Sequence, residues 1–336
     1  MKGDIILKWI LITSSGIVFG TFGVWLARFI ARRTGFYNAP NPLVETHKKP
    51  VPYLGGAGVF IPFGILLIIF AGFETWVWVF LAGVFVLLVM GTLDDRRPMP
   101  WWIKLIVEVV VAGLTLPILV GILGIKANAI LIILGAAAIV VLTNGFNIID
   151  VSDGLAGSTG AVVSLGLFAA FLAASPLSVL AATPLLLSCL LVGFFIFNRP
   201  KATIYLGDGG SLPLGYAIST LLVIWLLSVP LSVPRVIAAL SLVSLIIFEI
   251  VLVSWHRIRK GVSIFKGSPD HFALRLVKKG WGVPRILITS VLLTVVLTSS
   301  LGFLGLPVFV SWIYLGLLIS FYAVSFWWLS RSKAGQ

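Results

Sequence analysis

Charge is what this chain has least of. Asp, Glu, Lys and Arg make up only 10% of its 336 residues, against about 25% in a soluble domain. A water-soluble fold of this length still needs a polar exterior, and these residues cannot supply one. Acids are scarcer than bases, with 11 Asp+Glu against 24 Lys+Arg and a formal charge of +13. That excess does not make a nucleic-acid binder, because the basic residues stand in short loops between apolar runs, as orientation signals do. Cysteine occurs once, as Cys189 in an apolar run, so no disulfide reading attaches to it. Low-complexity linkers, internal repeats and any stretch polar enough for a soluble domain are absent too.

What the chain does have is hydrophobic residues, 60% of the total. They come in runs of roughly twenty without alternation, the length of a helix crossing about 30 Å of hydrocarbon. Barrel strands would be shorter and would alternate. Lipid also demands that every backbone polar group be satisfied within the chain, which helices do. The expected fold is therefore all-α, an integral membrane protein read as a single domain over 1–336. About eleven spans are expected, near 5–30, 55–73, 75–91, 102–123, 129–146, 160–174, 177–197, 212–227, 236–255, 285–304 and 308–329. The first is too long for a signal-peptide core and no small-residue cleavage pattern follows it, so it reads as a retained span.

Successive spans alternate sides, which sorts the loops into two sets. One holds only Lys2, Lys8, Lys126 and Arg235; the other twenty of the 24 basic residues fall in the second set. The positive-inside rule puts that second set in the cytoplasm, with the N-terminus outside and the C-terminus inside. The acids follow the bases. Asp94, Asp95, Asp150, Asp153, Asp208 and Asp270 lie in the cytoplasmic loops or at span ends there, while Glu108 and Glu249 fall within spans. An ionised residue at a helix centre costs about 2.5–3.5 kcal/mol, so those two glutamates face a polar cavity or a partner helix.

Three cytoplasmic loops carry acids against apolar helix ends. In Gly91-Thr-Leu-Asp94-Asp95-Arg96-Arg97 the adjacent carboxylates repel unless a cation or proton sits beside them. Arg96 and Arg97 are the nearest candidates, and a plain charged helix end is the alternative. In Asn144-Gly-Phe-Asn147-Ile-Ile-Asp150-Val-Ser-Asp153-Gly154 three oxygen-bearing residues are spaced by three. On a helical backbone they would share one face and suit a hard cation, and capping by Asp153 is the competing role. In Tyr205-Leu-Gly207-Asp208-Gly209-Gly210-Ser211 the glycines allow close backbone approach to a ligand, or simply a turn before a helix. The longest loop includes Asp270-His271-Phe-Ala-Leu-Arg275, where His271 and Arg275 are an i, i+4 pair able to grip phosphate. Its lysines otherwise suit lipid headgroups. A further loop adds His47, Lys48, Lys49 and a Gly55-Gly56 pair where a helix begins. Acids, cations and glycine turns on one face suit a magnesium-held diphosphate, next to a lipid substrate.

Taken in order, these loops resemble the polyprenyl-phosphate N-acetylhexosamine-1-phosphate transferase family. Lys49-Pro-Val-Pro-Tyr-Leu-Gly55-Gly56, Asp94-Asp95, Asn147-Ile-Ile-Asp150-Val-Ser-Asp153-Gly154-Leu and Asn198 followed by Gly207-Asp208-Gly-Gly-Ser211-Leu are similar to that family's motifs. The resemblance implies transfer of an N-acetylhexosamine-1-phosphate, GlcNAc-1-phosphate first, from a UDP-sugar to undecaprenyl or another polyprenyl phosphate. It implies Mg²⁺, with Mn²⁺ as a substitute, ligated by Asn147 and Asp208. Asp94 would deprotonate or position the lipid phosphate and Asp95 would assist. Lys48, Lys49, Asp150, Asp153, Asn198, His271 and Arg275 would bind the nucleotide sugar. The partners are the two substrates and membrane lipid, with a homodimer open and nucleic acid excluded. The location implied is the plasma (inner) membrane, with the active site facing the cytoplasm. Two departures stand out: Asp150-Val-Ser-Asp153 lacks the family's first glycine, and a histidine-rich loop keeps only His271. Both leave the phosphoryl chemistry intact and leave the amino sugar open. The rivals are the same chemistry on a muramoyl-pentapeptide donor, a secondary transporter, whose sites lie near the bilayer midplane, and a non-catalytic scaffold.

Overall fold

The computed structural model describes residues 2–38, 50–174 and 179–331. Apart from a two-residue antiparallel pairing, β1 (Tyr37–Asn38) with β2 (Val51–Pro52), its regular structure is helical. The helices are α1 (Lys2–Thr34), α2 (Gly55–Ala71), α3 (Thr75–Arg96), α4 (Trp101–Ile122), α5 (Ala129–Ile149), α6 (Leu155–Ala174) and α7 (Val179–Asn198). There follow α8 (Asp208–Leu227), α9 (Val233–Leu242), α10 (Ser244–Arg259), α11 (Phe272–Lys278), α12 (Val283–Thr298) and α13 (Val308–Ser330). Among the described residues 9 helices are long and apolar enough to cross a membrane, or 10 if the bent pair α9–α10 counts as one; α2 is a shorter apolar helix. The protein is therefore a multi-pass membrane protein.

The bundle is organised around α8, which is buried along almost its whole length and packs on α2, α3, α5 and α6. Its small residues explain why. Gly209, Gly210, Ser211, Gly215, Ser219 and Thr220 let neighbouring backbones approach, and in lipid such contact is what holds helices together. Helices at the rim expose their apolar faces. α13 is the extreme, with only Ser311 and Leu329 buried, and Leu317 is 67% exposed. One end of the bundle carries cations over tryptophan rings, Arg285 on Trp281, Arg331 on Trp327 and Lys279 on Trp328. Tryptophan and basic anchors of this kind mark a membrane interface.

The helices differ from their expected spans in several places. α3 runs to Arg96, five residues past the expected 91, so Asp94 and Asp95 lie in its last turns and not in a loop. α6 starts at Leu155, five residues before the expected 160, because Leu155 and Ala156 are buried apolar residues behind Gly154. α8 starts at Asp208, not at 212, so the glycines that read as a loop are its first turn. The ninth expected span is two helices bent by 65°. At the break Ser244 Oγ turns back to the Ser241 carbonyl at 2.7 Å, and a hydroxyl competing with the helix ladder is a known cause of a kink.

Packing of α1 on α7 depends on Gly20, where an added Cβ would lie 2.6 Å from the Leu190 carbonyl oxygen and 2.8 Å from its Cα. Backbone cannot yield as a flexible side chain does. Gly20→Ala should cost about 1–3 kcal/mol, seen as a lower thermal midpoint in detergent. Gly113→Ala, whose Cβ would meet open space on α4, should leave the midpoint unchanged or raised.

Candidate functional site

Adjacent carboxylates at the end of α3 need separate partners, and the fold gives each its own. Asp94 accepts from the Met99 backbone N–H at 2.7 Å and from Lys104 Nζ at 3.0 Å. Asp95 accepts from the backbone N–H groups of Asp208 and Gly209 at 2.9 and 3.0 Å. The expected partners Arg96 and Arg97 are both exposed, and among the described residues no ion pair joins them to either acid. The partner cation is Lys104, from the next helix.

Asp95 acts on α8. A helix begins with four N–H groups that lack intrahelical partners. Here the first two donate to Asp95, and those of Gly210 and Ser211 return to the Gly207 carbonyl at 2.9 and 2.8 Å. A carboxylate is also favoured at the positive end of a helix. Gly207 has φ 72°, and a Cβ there would strike the Asp95 carboxylate, so only glycine serves. Close backbone approach of Gly91 and Gly56 to the Asp208–Gly210 turn completes the cradle.

Asp208, set in that first turn, accepts from Lys104 Nζ at 3.0 Å and from Asn147 Nδ2 at 2.7 Å. Asn147 also reaches Ser211 Oγ at 2.9 Å. One hydrogen-bonded network thus joins Asp94, Asp95, Lys104, Asn147 and Asp208, drawn from α3, α4, α5 and α8. Asp150 feels the same charges: burial, then Asp208 and Asp153, push its pKa up to about 8, and only the nearby Gly207 N–H pulls it down.

Asn147, Asp150 and Asp153 do not share a helix face, because α5 ends at Ile149 and the chain turns. The aspartates fall in the turn and reach different neighbours. Asp153 accepts from the Ala202 N–H at 3.0 Å, which ties its loop to the one after α7. Asn198 makes the same tie from the other side, accepting from Gly154 N–H at 3.0 Å and donating to the Ile204 carbonyl at 2.8 Å. Asp150, Asp153 and Asn198 line a small cleft with Tyr53 and Tyr205. Burial first, and then acidic neighbours, keep both phenols protonated above their ordinary range.

His271 and Arg275 belong to a second network. Glu249, fully buried, meets His271 Nδ1 at 2.8 Å and the Phe272 N–H at 3.0 Å. Asp270 is gripped by Arg275 Nη2 at 2.6 Å and Lys260 Nζ at 2.7 Å, and Arg275 also donates to the Leu329 carbonyl at 3.2 Å. Burial would raise the Asp270 carboxyl, but Lys260 and Arg275 outweigh it and hold it below the usual carboxylate range. This set leans towards the first through Phe265, whose ring stacks on Trp101 with centroids 4.0 Å apart, three residues before Lys104. Lys48 and Lys49 lie outside the described residues.

Among the described residues no three His, Cys, Asp or Glu side chains are placed to hold a metal. The donors that do converge are hard oxygens, and two carboxylates already share one cation at 3.0 Å each. Mg²⁺ is commonly bound by one or two carboxylates, with substrate phosphates and water completing its shell. Asp208 and Asp94 offer hard carboxylate oxygens of the kind that ion takes, while Asn147 turns its Nδ2 to Asp208 and keeps its amide oxygen free of that bond. Sequence reasoning missed Lys104, taking it as an orientation signal. Its own position was the clue, since Lys104 and Glu108 stand four apart in an otherwise apolar span.

The membrane bundle thus gathers carboxylates, a lysine and a glycine-built helix start at one of its ends. The sequence profile of Glycosyl transferase family 4 matches residues 77–226, which hold most of this network. Over those residues the chain is similar to that family. It is 33% identical over 236 residues to the phospho-N-acetylmuramoyl-pentapeptide-transferase of Picosynechococcus sp., covering 63% of this chain and 64% of the relative. It is 29% identical over 213 residues to a probable undecaprenyl-phosphate N-acetylglucosaminyl 1-phosphate transferase of Bacillus subtilis, covering 58% and 57%. Against the undecaprenyl-phosphate alpha-N-acetylglucosaminyl 1-phosphate transferase of Escherichia coli it is 25% identical over 314 residues, covering 86% and 81%. The matches to the first two thus span about three fifths of each relative.

Asp270→Asn should remove the charge facing buried Arg275. Breaking a buried pair costs about 3–5 kcal/mol, so the thermal midpoint should fall clearly. Because the Asp270 pKa is lowered on folding, the wild-type chain should keep this stability above the ordinary carboxylate pKa. It should lose it as pH falls through the lowered value, and Asp270→Asn should flatten that acid limb.

Proposed function

We propose that the protein transfers an N-acetylhexosamine-1-phosphate from a UDP-sugar to a polyprenyl phosphate and releases UMP. The observation that carries this reading is the convergence of Asp94, Lys104, Asn147 and Asp208, from four helices, at one end of a membrane bundle. Two phosphate-bearing substrates, one of them a lipid, need cations and hard-oxygen ligands where lipid meets water. The broken helix α9–α10 is the feature a transporter would share, but the aspartates gather elsewhere, at the helix ends.

An oxygen of the lipid phosphate attacks the β-phosphorus of the nucleotide sugar. The new O–P bond forms as the bond to the UMP oxygen breaks, and UMP leaves with that electron pair. Such a transfer is mostly positioning and neutralisation of charge. Asp208 and Asn147 would hold Mg²⁺, which when bound neutralises diphosphate oxygens as a Lewis acid. Lys104 adds a fixed positive charge between Asp94 and Asp208. Asp94 faces the lipid phosphate and orients it or takes its proton. Asp95 holds the start of α8 in place. Asp150, Asp153 and Asn198, with the Tyr53–Tyr205 cleft, form the nucleotide side, and Lys48, Lys49, His271 and Arg275 bind the donor. GlcNAc is the favoured sugar, supported by the long match to the Escherichia coli transferase. The higher identity to the Picosynechococcus relative favours a muramoyl-pentapeptide donor as the second reading. The excess of basic loops supports a site on the cytoplasmic side of the plasma membrane.

Purified protein given labelled UDP-GlcNAc, polyprenyl phosphate and Mg²⁺ should move label into the lipid phase and release UMP. Chelation should stop it, and Asp208→Asn should lower kcat by about 10²–10³-fold, the scale of one lost electrostatic group. Turnover of UDP-MurNAc-pentapeptide alone would install the second reading, and vesicle uptake without UMP release would replace both. For orientation, a membrane-impermeant thiol reagent should label Phe73→Cys from outside intact cells. Arg97→Cys should be labelled only in inverted vesicles; the opposite pattern would reverse the topology.

A further inference from the structure

Glu108 has no part in the reaction just described, yet it is 3% exposed inside α4, a helix whose only other charge is Lys104. A carboxyl at such a depth is expensive unless a specific partner repays it. Its partner is Asn144 on α5, whose Nδ2 donates to Glu108 Oε2 and also to the Val140 carbonyl at 3.0 Å. The two residues sit one turn below the network. Lys104 precedes Glu108 by four residues on α4, Asn147 follows Asn144 by three on α5, and both meet Asp208 on α8. α5 packs extensively on α4 and on α8, while α4 and α8 touch each other only briefly. Lys104 therefore reaches Asp208 from a helix that α8 itself scarcely holds. A slip of α4 by one residue would move Lys104 by about 1.5 Å, half the length of its 3.0 Å bonds. Misplacement near 1 Å can cost a rate factor of about 10².

We infer that the Glu108–Asn144 pair sets the axial register of α4 against α5 and so keeps Lys104 and Asn147 on Asp208. Glu108 is then a positioning residue, acting through Lys104. What it needs is an acceptor oxygen at that height, not a negative charge, and Glu108→Gln keeps such an oxygen while Glu108→Leu does not. The kinetic half of this inference rests on the proposed transfer; the register does not.

The test compares wild type, Glu108→Gln, Glu108→Leu and Asn144→Leu in detergent. Lys104 reactivity towards acetic anhydride, read by mass spectrometry on folded protein, should rise several-fold in the two leucine variants and stay at the wild-type level in Glu108→Gln. Transfer by the leucine variants should lose about 10–100-fold in kcat with the KM for the nucleotide sugar within threefold, and Glu108→Gln should stay within threefold in both. Lys104 reactivity unchanged in both leucine variants would overturn the inference. So would a Glu108→Gln enzyme as impaired as Glu108→Leu, or a kcat loss that only tracks the folded fraction. Should Glu108→Leu not fold, Asn144→Leu breaks the same bond from α5. A wild-type chain that transfers no sugar phosphate would remove the functional proposal, and the acetylation pattern would still decide the register.

Discussion

Everything at the functional end of this molecule depends on giving each carboxylate beside lipid a partner. A protein interior gives no free solvation, so each oxygen needs an N–H, an ammonium or another cation. The solution here is economical in charge. One lysine serves two aspartates, and the N-terminus of α8 serves a third. The glycines follow from that choice, because a helix start can enter a carboxylate's coordination only where no Cβ intervenes. The burial of α8 follows too, since the helix that carries Asp208 must be held by all its neighbours if its first turn is to stay fixed.

The two polar networks have different characters. Around Asp208 the side chains are only part-buried and reach across four helices, an arrangement open to phosphate. Around Asp270 and Glu249 the groups are almost wholly buried and paired with one another, and Arg275 spends a donor on the last turn of α13. That network fixes a segment, α11, between the kinked α10 and the C-terminal helix. The Phe265–Trp101 stack then sets this segment beside the start of α4.

Much of the network around Asp208 was legible because its acids stand in short stretches. Asp94-Asp95, Asn147 to Asp153 and Gly207-Asp208 stand out wherever acids are scarce, and their shared side followed from counting spans. Asn198 was legible only through resemblance. Lys104 was misread because a lysine near a span end serves as an orientation signal in many loops, and nothing local separates that use from a bridge to Asp208, 104 residues away. The three-residue spacing of Asn147, Asp150 and Asp153 misled for a related reason. Periodicity assumes that the helix continues, and α5 ends at Ile149.

The sequence by itself determined the solvent, the secondary structure and which scarce polar groups stand out. Long apolar runs have one stable form in hydrocarbon, and a chain this poor in charge has few places to hide an acid. Tertiary structure alone decided the pairings: Lys104 rather than Arg96 or Arg97, Asp95 on a helix start, Glu108 with Asn144, and the 65° break before α10. Those pairings join residues tens to more than a hundred positions apart. They depend on how far small residues let helices approach and slide, a property of the packed bundle that no single helix carries.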